Sequence, residues 1–335
     1  MSCVIGVDVG ATKIAAAVID GVDVRESVER STDLSGGEGV LAGIAATVSD
    51  VGRAAGGRPD AVGVGLPSQI EFGTGTVISS VNIPLEGVPV REVLERRLGV
   101  PVFVDNDGNV AALAEAQMGQ GVPATHLVML TLGTGVGGGI ITDGRIERGH
   151  AGLGAELGHL VIDGRAALDA AAGDFPRPGS LEWLCSGTGL ERAANRAAEG
   201  NPAGALGRLH AADGHVSGRD AVIAAQAGDG EALAVFDRLG RWLGLGVAGL
   251  INTFQPQRIA LGGGLSRAAD LFLEPARREA ERNSLPALWE RAELDLAIGG
   301  SDAGMIGAGV LADQELQRTR DTAVDSLEPR STGRR

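Results

Sequence analysis

The same motif opens both halves of the chain, and that repetition limits the fold more than any other feature. "IGVDVGATKIAAAVIDG" near the N-terminus and "HLVMLTLGTGVGGGIITDG" from residue 126 each read as strand, small-residue turn, strand. Segments of alternating helix and strand character follow each copy. This order argues for an internal duplication of a β-rich α/β unit. At 335 residues the chain is also too long for one ordinary core, so two lobes are expected. We place them at residues 1–120 and 121–300, the first completed by a helix at about 301–314. From about Glu315 the polar sequence lacks apolar periodicity, and 315–335 reads as a disordered tail.

Between the hairpins, helices are expected at about 36–55 and 89–98, with "PVFVD" as a strand and "NVAALAEAQMG" as the helix after it. Further helices are expected at about 181–199, 218–228 and 230–253, and 166–180 reads as loop. No apolar stretch is long enough for a bilayer. No basic segment precedes the first strand, so no signal peptide is expected. The only cysteines are Cys3 and Cys185, which suits a reducing compartment, and a cytoplasmic location is expected. A net charge of −14 argues against non-specific nucleic-acid binding. Lys13 is the only lysine, and it falls in the first turn.

Three glycine-rich turns stand out: "DVGATK" (8–13), "LGTGVGGG" (132–139) and "LGGGLS" (261–266). Such turns let backbone amides approach an anion closely. None matches a P-loop or a strand–GxGxxG–helix unit. A second feature is the knot Asp105, Asn106, Asp107, Asn109 at the end of an apolar run. A calcium loop is excluded, because its sixth position is Val110 and its twelfth is Ala116. Helix capping accounts for Asn106 or Asp107 but not for all four. A carboxylate at the carboxyl end of a strand sits where α/β proteins place ligands, so one base and one substrate-orienting amide are expected. A third cluster is "GAELGH", where Glu156 and His159 share one face of a helical turn, with Glu182 downstream in "GSLEWL". These groups could hold sugar hydroxyls.

Taken in order, "VGVDVGATK", "GVGLP", "VFVDNDGNVAALAE", "LTLGTGVGGGIITDGRIERGHAGLGAELGH", "GSLEWLCSGTGL" and "IALGGGLS" resemble the ROK family (repressor, open reading frame, kinase), above all its bacterial glucokinase-type sugar kinases. The resemblance implies an α/β, actin-like ATPase fold of hexokinase type, with two lobes closing over sugar and nucleotide. It implies ATP and Mg²⁺ as cofactors and a homodimer, with no membrane or nucleic-acid partner. By the same likeness Asp8, Gly10, Thr12 and Lys13 belong to a first phosphate loop, and Gly133, Thr134, Gly135 and Gly137 to a second. Gly262, Gly263 and Gly264 lie by the adenosine. Asn106, Glu156, His159 and Glu182 bind sugar hydroxyls, and Asp107 is the catalytic base. Glucose is the expected acceptor, at its 6-hydroxyl. The alternatives are another sugar, such as N-acetylmannosamine, fructose or mannose, or a non-catalytic sugar sensor. Repressors of the family carry a DNA-reading segment before the first phosphate loop. Here that loop begins at residue 8, which favours a kinase.

One departure matters. Many members place a zinc site after the "E-x-G-H" segment, built from a histidine and three cysteines. Between His159 and Glu182 this chain has no cysteine, and Ser180 stands at the third cysteine's place. No structural zinc is expected. His159 must then be oriented by hydrogen bonding or packing, for instance through the Pro176/Pro178 loop.

Overall fold

The structure, a computed structural model, describes residues 3–118 and 123–325. They form two units. The first takes the chain up to Pro123, a short return at Arg148–Gly154, and everything from Gly299 onward; the second takes Ala124–Glu147 and Ala155–Ile298.

The first unit is built on five strands, β1 (Val4–Val9), β2 (Lys13–Asp20), β3 (Asp23–Ser31), β4 (Ala61–Leu66) and β7 (Val102–Asn106), in the order β3-β2-β1-β4-β7. The hairpin strands pair antiparallel, and β1, β4 and β7 run parallel. A two-stranded ribbon, β5 (Gln69–Glu71) and β6 (Thr76–Ser79), lies between β4 and β7 in sequence.

Successive residues of a strand face opposite ways, so each face of the sheet can be read from alternate positions. Ile5, Val7 and Val9 of β1, with Val62, Val64 and Leu66 of β4, share a core with α1 (Gly37–Ala54) and α2 (Val90–Leu98). The other face is nearly bald. Gly6 and Gly63 there meet the last described helix, α12 (Ala303–Asp325), and with α3 (Asp107–Gln117) it forms a second core.

The second unit repeats the plan with β8 (Leu127–Leu132), β9 (Val136–Thr142), β10 (Arg145–Ile146), β11 (Arg258–Gly262) and β12 (Glu293–Leu296), in the order β10-β9-β8-β11-β12. Strand for strand, order and direction match the first sheet. The duplication expected from the two hairpins is present. Between its strands the chain forms α4 (Gly164–Asp169), α5 (Leu181–Cys185), α6 (Gly187–Gly200), α7 (Ala205–Asp213), α8 (Gly218–Gln226), α9 (Gly230–Phe254), α10 (Leu273–Asn283) and α11 (Pro286–Trp289). The 25-residue α9 is the spine of one continuous core.

Four expectations need correction. Helix α12 (Ala303–Asp325) runs well past the expected end at 314. Leu316 is buried in the core and Glu315 is buried beside Arg318, its carboxylate 2.9 Å from the guanidinium, so the core-facing stripe outlasts the apolar run. The rest of the expected tail, 326–335, lies outside the described residues. Residues 148–154, assigned above to the second lobe, group with the first unit, where Arg148 pairs with Asp105 and Gly152 lies against Phe72. The expected 181–199 helix is two helices, since the Ser186 side chain caps a new start at Gly187. The expected loop at 166–180 contains part of α4, capped by Asp163. Strand β3 and helix α7 went unread, β3 because it is polar and exposed along most of its length. Among the described residues no helix is long and apolar enough to cross a membrane.

Candidate active site

The acidic knot sits at the junction of β7 and α3, and the structure gives each of its members a separate task. Asn106 is the N-cap of α3: its Oδ1 accepts from the Gly108 amide at 2.8 Å and the Asn109 amide at 3.3 Å. Its Nδ2 donates to the Ser68 carbonyl at 3.2 Å, and its side chain also bonds the Asp107 carboxylate. Asp105 is internal. Its Oδ1 accepts from the Asn106 amide and from Asn109 Nδ2, both at 2.8 Å, and its Oδ2 accepts from Arg148 Nε at 2.6 Å. Asp107 opens the helix, where the N-terminal dipole favours an anion. Its residue surface is exposed, yet protein crowds close around the carboxyl group. That desolvation, with the charge of Asp8 adding to it, pushes the Asp107 carboxyl up to about 6 against the pull of the Gly108 amide. So the knot holds one carboxylate at the helix start, Asp107, which accepts from the Gly108 amide at 2.9 Å, and three residues that fix the corner around it.

Asp8 ends the even-numbered, α12-facing side of β1. Burial raises its carboxyl above the ordinary range, and Lys13 partly counters this. A Cβ at residue 304 would lie 2.5 Å from the Asp8 carboxyl carbon, so Gly304 at the start of α12 makes the room that Asp8 occupies. The first turn closes with the Gly10 amide donating to the Lys13 carbonyl at 2.8 Å, and Thr32 Oγ1 donates to the Gly10 carbonyl at 2.7 Å. Thr12 and Lys13 are exposed at its tip. The Lys13 ammonium forms an exposed pair with Glu29 at 2.7 Å.

In the second unit the other two glycine turns come together. Gly263 holds a φ of 85°, and a Cβ there would lie 2.4 Å from the Leu132 carbonyl oxygen, so its backbone lies directly against the start of the 132–139 turn. The same turn meets the N-terminus of α6, where the Gly187 amide donates to the Gly133 carbonyl at 2.7 Å and Thr188 Oγ1 to the Thr134 carbonyl at 2.9 Å. Gly133, Thr134, Thr188, Glu191, Arg219, Gly264 and Arg267 line a cavity of about 670 Å³. Sequence reasoning assigned Gly133, Thr134 and Gly264 but missed Thr188, although it lies in the quoted segment "GSLEWLCSGTGL", and Arg219 and Arg267, which lie outside the quoted motifs. Gly137 stands on β9 with Thr131 Oγ1 beside it.

Glu182, at the start of α5, accepts from the Val136 amide at 2.8 Å through Oε2, which braces the 132–139 turn from below. Glu156 and His159 lie on a short 3₁₀ turn, Leu157–His159, with Glu156 at its N-cap; both are exposed. A Cβ at residue 158 would fall 2.1 Å from the Val136 carbonyl oxygen, so Gly158 lets this turn lie on β9. The Leu181 amide donates to the Leu160 carbonyl at 2.8 Å, which sets α5 alongside. Glu156, His159 and Glu182 therefore share one part of the second unit. Asn106 and Asp107 share one part of the first.

The cysteine-free segment is held by polar contacts. Arg177 donates through Nη2 to the carbonyls of Ala167 (2.6 Å) and Ala170 (3.1 Å), and through Nη1 to Ala171, closing the C-terminus of α4. Ser180, at the third cysteine's place, caps α5. Phe175 stands edge-on to the His159 ring, centroids 6.0 Å apart. Among the described residues no three His, Cys, Asp or Glu side chains group so as to hold a metal ion. Cys185 is fully buried, and desolvation raises its thiol.

With this geometry in hand, comparison with known proteins identifies the class. The chain matches the crystal structure of a ROK hexokinase from Thermus thermophilus with a TM-score of 0.80 and 35% identity, over 94% of this chain and 99% of that one. It matches a ROK family glucokinase from Streptomyces griseus, crystallised with glucose and AMPPNP, with a TM-score of 0.72 and 35% identity, over 93% of this chain and 99% of the other. The fold is the actin-like, hexokinase-type ATPase fold. A curated glucokinase from Halalkalibacterium halodurans is 35% identical over 317 residues, 93% of this chain and 95% of that protein. The profile of the ROK family matches residues 4–315, and the chain belongs to that family.

Proposed function

We propose that this chain phosphorylates a hexose, glucose before other sugars, at the 6-hydroxyl with ATP as donor and Asp107 as the base. It is an ATP-dependent sugar kinase, as its relatives from H. halodurans and S. griseus support. The observation that carries the residue assignment is the Asp107 carboxylate, held at a fixed helix start by the Gly108 amide and raised by burial to about 6. A base in that range is largely ionised at neutral pH and still accepts a proton readily.

In this reading the acceptor hydroxyl gives its proton to Asp107 as its oxygen bonds to the γ-phosphorus, and the bond from that phosphorus to the ADP oxygen breaks. Phosphoryl transfer needs mainly positioning and charge neutralisation. Backbone amides of the turn at Asp8–Lys13 and of the turn at Gly133–Gly137 supply donors for phosphate oxygens. The cavity bounded by Gly264, Arg219 and Arg267 takes the adenosine. Asn106, Glu156, His159 and Glu182 are assigned to sugar hydroxyls. Asp8, a carboxylate raised by burial and close enough to act on Asp107, fits a hard divalent ion. Mg²⁺ arriving with ATP would neutralise phosphate charge there.

The test is ADP release from Mg-ATP across glucose, mannose, fructose, N-acetylglucosamine and N-acetylmannosamine. Turnover highest on glucose is expected. Sugar binding by calorimetry with no turnover on any of the five would overturn the kinase reading in favour of a sensor.

His159 supplies a second prediction. If Arg177 and Phe175 orient it in place of a metal, Arg177→Ala should raise the sugar KM about tenfold. The melting temperature should barely move, because the segment is largely exposed. An unchanged KM in a variant whose 163–180 segment exchanges its amides faster would sever His159 from that support.

A further inference from the structure

After β10 the chain gives seven residues, Arg148–Gly154, to the first unit and then returns to the second at Ala155, one residue before Glu156. Arg148 fastens that excursion. Its Nε donates to Asp105 Oδ2 at 2.6 Å, with the arginine side chain 15% exposed and the aspartate side chain 4%. Its guanidinium carbon lies 3.6 Å from the centroid of the Phe72 ring, which caps the turn between β5 and β6. Arg91 holds the same turn from α2, donating to the carbonyls of Phe72 at 2.5 Å and Gly73 at 2.8 Å.

We propose that Arg148 is a positioning residue for phosphoryl transfer: through Asp105 it fixes the strand-to-helix corner that presents Asn106 and Asp107. The inference rests on the kinase reading above. Asp105 is the link: its other oxygen holds both the Asn106 amide and the Asn109 side chain. These bonds tie the end of β7 to the first turn of α3, and the Asn106 cap lies between them. A carboxylate so buried needs a cation beside it, and Arg148 provides it. A buried ion pair, however, is a poor stabiliser, because desolvation of both charges consumes most of the attraction. What the pair does supply is direction. The guanidinium is clamped by the ring on one side and by the carboxylate at its edge, so Asp105 has one orientation and the corner has one shape. The same clamp also restrains the segment that leads directly into Glu156.

The test uses four variants of the full chain: Arg148→Met, Arg148→Lys, Asp105→Asn, and the double variant Arg148→Met/Asp105→Asn. Turnover of the unmutated protein reports on the kinase reading, and the ratio of variant to parent reports on Arg148. Arg148→Met should lose about tenfold to a hundredfold in kcat, with a higher sugar KM and an ATP KM within about twofold of the parent. Arg148→Lys keeps the charge but not the flat stack, and should fall between. The double variant separates positioning from stability. Removing the stranded carboxylate should restore the melting temperature toward the parent, while kcat stays low. If kcat recovers together with the melting temperature, or if the double variant matches the parent in kcat per folded molecule, Arg148 is structural only and the proposal fails.

Discussion

Replacing Asp107 with asparagine is expected to lower kcat by about a thousandfold while sugar affinity changes little. Asparagine keeps the shape and the oxygen that accepts from the Gly108 amide, so the start of α3 should survive. What disappears is the proton acceptor. The parent's kcat/KM should rise with pH through about 6 and level off above it, because the ionised carboxylate is the working form. The residual activity of the variant should lack that limb. Stability should move the other way. A carboxyl raised from 3.8 to about 6 penalises the fold when ionised. The penalty is absent below pH 4 and fully present above pH 6. The variant should therefore melt at or above the parent's temperature at pH 7.5, with the difference vanishing toward pH 4. A variant that retains kcat within tenfold of the parent would remove Asp107 from the role of base.

The parts of this site that could be read from the sequence are those whose physics is local. Turn chemistry and strand alternation exposed both hairpins and all three glycine turns, because each signal lies within about a dozen residues. The knot at 105–109 was visible as an anomaly, but its internal division of labour was not. Asp105 and Arg148 are 43 residues apart, and nothing near either one announces the other. Ser186 could have been found: "CSGTGL" offers a capping serine followed by glycine, and the helix restarts there. The course of α12 beyond 314 had no such cue, since its burial depends on which face meets the sheet. His159 and Glu156 were readable as a pair but not as residues of a 3₁₀ turn resting on β9, which the small size of Gly158 permits.

The second large effect concerns stability alone. Gly63→Ala should leave little or no folded protein. An added Cβ would lie 1.8 Å from the Ala308 carbonyl oxygen, a backbone atom that can yield only if α12 lifts from the sheet. Gly6 and Gly307 are as tightly placed, at 1.9 Å from the Met305 carbonyl oxygen and 1.7 Å from that of Val110. Overpacking of this kind costs about 3 kcal/mol or more, a large share of a domain's stability. Gly249→Ala is the control: it lies on an exposed part of α9 with open space around it, and should gain about 0.5–1 kcal/mol. Comparable soluble yield and melting temperature for Gly63→Ala and the parent would show that α12 does not lie as close to β4 as described.

That close seat of α12 also bears on the order in which the chain can acquire its structure during synthesis. The glycine-lined face of the first sheet is written by residue 66, yet the helix that covers it begins only at Ala303. Everything needed for the second sheet and its helices lies between residues 124 and 298. A growing chain can therefore finish its second unit while the first still waits with the glycine-lined part of one side, beyond α3, uncovered. The half made first is the half completed last, and a pause or truncation before Ala303 would leave its bare face for chaperones or for other unfinished chains.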